Sequence, residues 1–279
     1  MTEKPDTTKP FLLRRENRYL WFALILPAYL LVFAWVEAVI PVEACRPTYI
    51  PLDDRIPFLE GFIVPYMLWF PMLLALGLYL ARYDHEGFKR YMTYVGVAFF
   101  TVIALYLLFP NRQDLRVTQF PRDNLFTRLV ALVYSQDTNT NVCPSLHVVG
   151  SMAVCFAAWN CRRLRKPWMQ GAIWAFAFLV AVSTVFVKQH SALDLILAVP
   201  FSLVVYPVVY RLIFRRSGVE SPVRRSASGQ LVGAVACSAS RHVSAKPDQF
   251  LGGTNSPGQF ATGQPLLPVR PEGRTLRRL

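Results

Sequence analysis

Two of the four histidines stand where they could do chemistry. His147 lies in NVCPSLHVVG, where a Pro-Ser-Leu-His turn enters an apolar run, and His190 lies in VKQHSALDLI with Asp194 four residues on. At that spacing on a helix the two side chains share a face. A carboxylate there accepts the imidazole Nδ1–H, fixes the tautomer and leaves Nε2 free as a nucleophile. A helix-end ion pair has the same spacing. Asp194, however, heads an otherwise apolar block, where an ionisable group is costly and suggests function. Ser145 is a candidate N-cap for the run that His147 enters. A helix N-terminus offers free N–H groups and positive potential to an anion, and the Ser145 hydroxyl could add a donor. His147, within a turn of that point, suits a general acid. Arg112 and Arg116, in PNRQDLRV, and Lys188, two residues before His190, supply positive charge. Arg suits bidentate phosphate contacts and Lys serves as a point charge. Each cation alone reads equally well as solvated loop charge. In company with two histidines at one level, the set points to a phosphate. His85 and His242 read as plain surface residues.

The elements that must carry these residues are membrane spans. The chain has 279 residues, of which 53% are hydrophobic and 17% charged. A soluble domain carries about 25% charged residues. The apolar residues fall in blocks, and a transmembrane helix needs roughly 20 of them. Six candidate spans result: 19–36, 61–80, 91–109, 146–161, 167–187 and 191–214. The fourth is the shortest. The fold class expected is therefore all-α, a polytopic membrane protein with six transmembrane helices in a bundle. No cleavable leader is expected, because the first block is too long and Glu37 follows it. Glu37 itself reads as a snorkelling or ion-paired acid.

Charge asymmetry orients the bundle. With the N-terminus in the cytoplasm, the inner segments hold 23 of the 30 Lys and Arg. Both termini are then cytoplasmic, and His147 and His190 sit at the extracytoplasmic or lumenal face. The net charge of +13 needs no nucleic-acid partner. Residues 1–18 form a basic lead-in, 19–215 the membrane domain, and 216–279 a Gly- and Pro-rich basic tail expected to be disordered. The long outer connection 110–144 contains DNLFTRLVALVY at 123–134, with Phe126, Leu129, Val130 and Val133 at helical spacing. It reads as a short amphipathic helix at the outer interface or packed on the bundle. The five cysteines lack CxxC spacing, so zinc is not expected. Cys45 and Cys143 share the outer side, where a disulfide is an open option.

These residues resemble the type 2 phosphatidic acid phosphatase superfamily of membrane lipid phosphatases and lipid headgroup phosphotransferases, with vanadium haloperoxidases as soluble relatives. Its motifs read Lys-x6-Arg-Pro, Pro-Ser-Gly-His and Ser-Arg-x5-His-x3-Asp. Here the second is Pro144-Ser145-Leu146-His147, and the third runs Ser183-Thr184, five residues, His190, three residues, Asp194. The first is poorest: Arg116 is followed by Val117, and Phe109 stands at the Lys position. Thr184 replaces the Arg of the third motif, and Lys188 is a candidate substitute for its charge. The looser flanking motifs look like the inositol-phosphotransferase-like branch. The resemblance covers roughly residues 60–215.

The resemblance implies a metal-independent enzyme without cofactor, acting on a phosphorylated lipid. His190 would be the nucleophile, Asp194 its orienting group and His147 the acid. Arg116, Ser145, Lys188 and Arg112 would hold phosphate. Water as acceptor makes a phosphatase, the reading preferred because water needs no dedicated site. An alcohol makes a headgroup phosphotransferase. A non-catalytic membrane protein is the remaining alternative, resting on Val117 and Thr184. The lipid, the oligomeric state and the membrane are not legible.

Overall fold

The computed structural model describes residues 15–214. The expected disordered tail and most of the basic lead-in lie outside these residues. A 3₁₀ segment, Arg15–Leu24, leads into α1 (Ile25–Val39). Then follow α2 (Ile63–Met67), α3 (Trp69–Tyr83) and α4 (His85–Leu108). The second half holds α5 (Leu125–Gln136), α6 (Leu146–Asn160), α7 (Pro167–Phe186) and α8 (Ala192–Pro207), which widens into a π turn at Val208–Ile213. Strands β1 (Arg46–Pro47) and β2 (Asn111–Arg112) pair in parallel, and Arg112 also bridges Thr140. The fold is that of an all-α membrane protein.

Local chemistry sets the helix ends. Asp84 caps α4 by accepting from Gly87 N at 2.9 Å. Pro167 opens α7, where its missing N–H is no loss. Asn124 and Thr127 form a reciprocal capping box at α5, and Ser191 and Asp194 do the same at α8. Asp194 therefore holds its own helix start as well as facing His190.

Five of the six expected spans are helices long and apolar enough to cross a membrane: Asn17–Val39, Glu60–Tyr83, His85–Leu108, Pro167–Phe186 and Ala192–Ile213. The fourth is not. Helix α6 has 15 residues, about 22 Å at 1.5 Å per residue, against a hydrocarbon core of about 30 Å. The reason is its place in the bundle. It packs against α3, α4, α7 and α8, and 11 of its residues are buried. Its apolar character serves protein contacts rather than lipid. Small residues, Gly150, Ser151, Ala153, Ala157 and Ala158, line its buried surface and let neighbours approach. At Gly150 a Cβ would stand 2.8 Å from the Trp69 ring. By contrast Leu31, Phe70, Leu78, Phe178 and Val204 project outward from the long helices, as lipid-facing residues do.

The connection 110–144 folds over one end of the bundle. Helix α5 buries Thr127 and Val130, and Val130 joins Ile63, Tyr66 and Val187 in a second small core. Leu125 and Leu132 stay exposed. His85 is exposed, as expected of a surface residue, and stacks on Tyr19 with ring centroids 3.9 Å apart. Glu37 has no described ion pair. It accepts from Thr138 Oγ1 and from Asn141 Nδ2, the latter at 2.5 Å. The four described cysteines are free thiols, Cys45 and Cys143 among them.

Candidate active site

Three side chains from two helix starts meet in one line. His190 Nδ1 lies 3.1 Å from Asp194 Oδ2, and His190 Nε2 lies 3.3 Å from His147 Nδ1. Asp194 is fully buried and His190 is 6% exposed. The same Asp194 oxygen accepts from Ser191 N at 3.0 Å, which leaves Nδ1–H of His190 as the natural second donor to it. His147 sits between the Tyr66 and Trp69 rings, with centroids at 4.6 and 4.4 Å.

The turn that presents His190 is pinned from behind. Gln189 N and His190 N both donate to the Thr184 carbonyl, at 2.9 and 3.1 Å. Thr184 is fully buried. The start of α8 is braced by the first long connection. Asp53 Oδ1 accepts from Ala192 N at 2.7 Å, and Ser191 Oγ donates to Thr48 O at 2.6 Å. The start of α6 is braced by Asn111. Its Oδ1 accepts from Val142 N and Cys143 N at 2.8 Å each, and its Nδ2 donates to Cys143 O at 3.0 Å. Ser145 N donates to Asp194 O at 3.2 Å, which joins the two helix starts directly.

The predicted phosphate ligands divide. Ser145 occupies the N-cap of α6 without closing the cap. Its Oγ is buried and has no partner among the described residues. The first N–H groups of α6 and this hydroxyl are therefore available donors next to His147. Arg116 lies beside the site, with Nε on Gln189 Oε1 at 2.9 Å. Its Nη1 donates to the carbonyls of Tyr134 and Asp137 at 3.1 and 3.0 Å, and its Nη2 to Thr138 O at 2.5 Å. A guanidinium has five N–H donors, so one remains. Lys188 has a left-handed backbone, φ 55°. Its ammonium points away from the histidines, onto Asp53 O and Ile56 O at 3.0 and 2.6 Å. Burial lowers its pKa. Arg112 holds Asp114 and the Val42 carbonyl, each at 3.1 Å.

The histidines open on a cavity of about 470 Å³. One wall is apolar and aromatic, with Tyr29, Phe33, Trp69 and Phe70 from α1 and α3 and Leu132 from α5. The lining also includes the polar residues Asp137, Thr138, Thr140, Asn141 and Gln189. Spacing did not single out these polar residues. Gln189 Nε2 lies 3.4 Å from Tyr66 Oη and 3.3 Å from Asp137 Oδ2. Asp137 keeps exposed surface because it faces the cavity, yet the surrounding protein raises its carboxyl pKa. Burial is the main cause, and Arg116 and His190 oppose it. One sequence signal was there to be read: Asp137 is the single acid between Asp123 and Asp194.

The arrangement combines an oriented imidazole, a second imidazole at its free nitrogen and open helix-terminal donors. A family model described as the PAP2 superfamily matches residues 119–217. That segment runs from just before α5 to just past the π turn and includes the second and third motifs. No curated protein and no solved structure matches the chain.

Proposed function

We propose, from the match of residues 119–217 to the PAP2 superfamily model, that the chain is an integral membrane lipid phosphatase. Its substrate is a lipid phosphate or diphosphate, and its site faces the extracytoplasmic or lumenal side. The observation that carries this reading is the Asp194–His190–His147 line, with contacts of 3.1 and 3.3 Å, on a cavity lined by both apolar and polar residues. Such a cavity suits a ligand with an anionic head and a hydrocarbon body.

In the proposed reaction His190 Nε2 attacks phosphorus while Asp194 supports the developing imidazolium. The phosphate displaces His147 from Nε2, and His147, held as imidazolium by the bound anion, protonates the departing lipid oxygen. The α6 N-terminus and Ser145 Oγ stabilise the equatorial oxygens, where transition-state charge gathers. Arg116 contributes chiefly as a nearby charge with one donor left. Lys188 and Arg112 act one layer out, by holding the loops around the site. Now neutral, His147 takes the proton of the acceptor as it attacks phosphohistidine. An alcohol acceptor would make the same machinery a headgroup phosphotransferase.

The test is phosphate release from a panel of lipid phosphates, phosphatidate and a polyprenyl diphosphate included, by detergent-purified protein. We expect wild type to release phosphate and His190→Ala to release none. Equal release by both would end the reading, and no release by either would turn the test to alcohol acceptors.

A further inference from the structure

The scheme above leaves the one carboxyl group among the cavity's lining residues, that of Asp137, without a role. Its position is built, not incidental. It follows the last turn of α5, and Arg116 grips its main-chain carbonyl at 3.0 Å. Gln189, the residue before the nucleophile, links the two. It accepts from Arg116 Nε at 2.9 Å and donates to Asp137 Oδ2 at 3.3 Å. Arg116 thus fixes the loop to the His190 turn and leaves the Asp137 carboxylate free of a direct ion pair with itself.

A carboxylate accepts about four hydrogen bonds and donates none. Gln189 supplies one. The carboxyl lines the cavity that both histidines also line, with lone pairs left to fill. Any ligand atom that meets them must bring a hydrogen. The ionised oxygens of a phosphate bring none and are repelled by like charge. A hydroxyl brings one.

We propose that Asp137 is the acceptor-binding residue of this site: it receives a hydrogen bond from the molecule that attacks phosphorylated His190. This rests on the phosphohistidine reading above. Water has two hydrogens. One goes to His147 as the attack proceeds, and the other is held by Asp137. A polyhydroxy alcohol attacks with one hydroxyl and offers a neighbouring one to Asp137. A simple alcohol such as methanol has no second hydrogen to give. In each case the acceptor oxygen forms the new P–O bond and the P–Nε2 bond breaks. Its electron pair returns to the imidazole, and the acceptor proton passes to neutral His147. Asp137 fixes the direction of attack and sets which acceptor is preferred.

The experiment is rapid-quench kinetics on the full chain, wild type beside Asp137→Asn and Asp137→Ala, with water, glycerol and methanol as acceptors. Leaving-group release in the first turnover should stay within about twofold of wild type, while phosphoenzyme breakdown by water and by glycerol slows about tenfold or more. Methanolysis should change little, so the methanol-to-water product ratio rises by a similar factor. Asp137→Glu should recover part of the water rate. A proportional fall with all three acceptors would mean a structural role and overturn the proposal, as would breakdown unchanged with all three. A wild type that forms no phosphoenzyme would sink the site reading itself, and this inference with it. That outcome is distinct from a working wild type whose variants track it.

Discussion

At the scale of single residues, the site depends on which nitrogen carries a proton. Asp194 is fully buried, and one of its oxygens is shared between Ser191 N and His190 Nδ1. Asp194→Asn keeps the shape but lets an amide N–H face the imidazole, which stabilises the wrong tautomer. We expect turnover to fall roughly 10³- to 10⁴-fold with little change in substrate KM, read from steady-state kinetics. Asp137 offers a pH test. Burial raises its carboxyl above the usual range, and the acceptor contact needs the ionised form. Phosphoenzyme breakdown by water should therefore be complete at high pH and fall as pH drops through that raised value. The acid limb should lie above the ordinary carboxylate range and vanish in Asp137→Asn. His147, His190 and Asp194 were legible because their types and spacing are local facts. Asp137 and Gln189 were not, because their meaning comes from a contact across 52 positions.

At the scale of elements, two helix starts carry the candidate residues, and other segments hold them. The 41–60 connection reads in sequence as a charged outer loop. In the fold Asp53, 2% exposed, accepts from Ala192 N at 2.7 Å and Ile50 N at 2.9 Å. Asp53→Ala would leave both donors without that partner, at a cost of roughly 1–3 kcal/mol. It should lower the unfolding temperature in detergent and the activity together, since α8 begins where Asp53 holds it. Gly150 is the matching point on α6. A methyl group there would meet the Trp69 ring at 2.8 Å, and that ring lies 4.4 Å from His147. Gly150→Ala should cost about 1–3 kcal/mol and reduce turnover more than the same change at Gly171, where nothing lies within 4 Å. Hydropathy marked α6 as apolar, but an apolar run looks the same whether it faces lipid or protein. The brevity of the 146–161 run, the shortest of the six candidate spans, was the visible hint.

At the scale of the whole molecule, orientation follows from charge. The cluster Arg162–Leu164 with Arg165 and Lys166 lies between α6 and α7, at the opposite end of those helices from His147 and the His190 turn. We propose that this cluster is cytoplasmic. Arg122 and Arg163 are both exposed. In cells, a membrane-impermeant thiol reagent should modify Arg122→Cys without permeabilisation and Arg163→Cys after it. The reverse pattern would invert the topology and put the site inside.

The sequence by itself determined the class of protein, its apolar blocks and the pair His190–Asp194. Those features depend on composition or on residues four apart, where helix geometry alone decides who meets whom. The tertiary structure decided the rest. It set His147 against His190 across 43 positions. It turned Lys188 and Arg112 onto backbone carbonyls, and it made Arg116 a clamp as well as a charge. It also brought Asp137 into the cavity and packed α6, from the shortest of the six apolar runs, against four other helices. A cation in a loop has no fixed partner until the chain folds, because any buried carbonyl competes with phosphate for its donors. That competition is settled by packing and hydrogen-bond geometry, which no local spacing encodes.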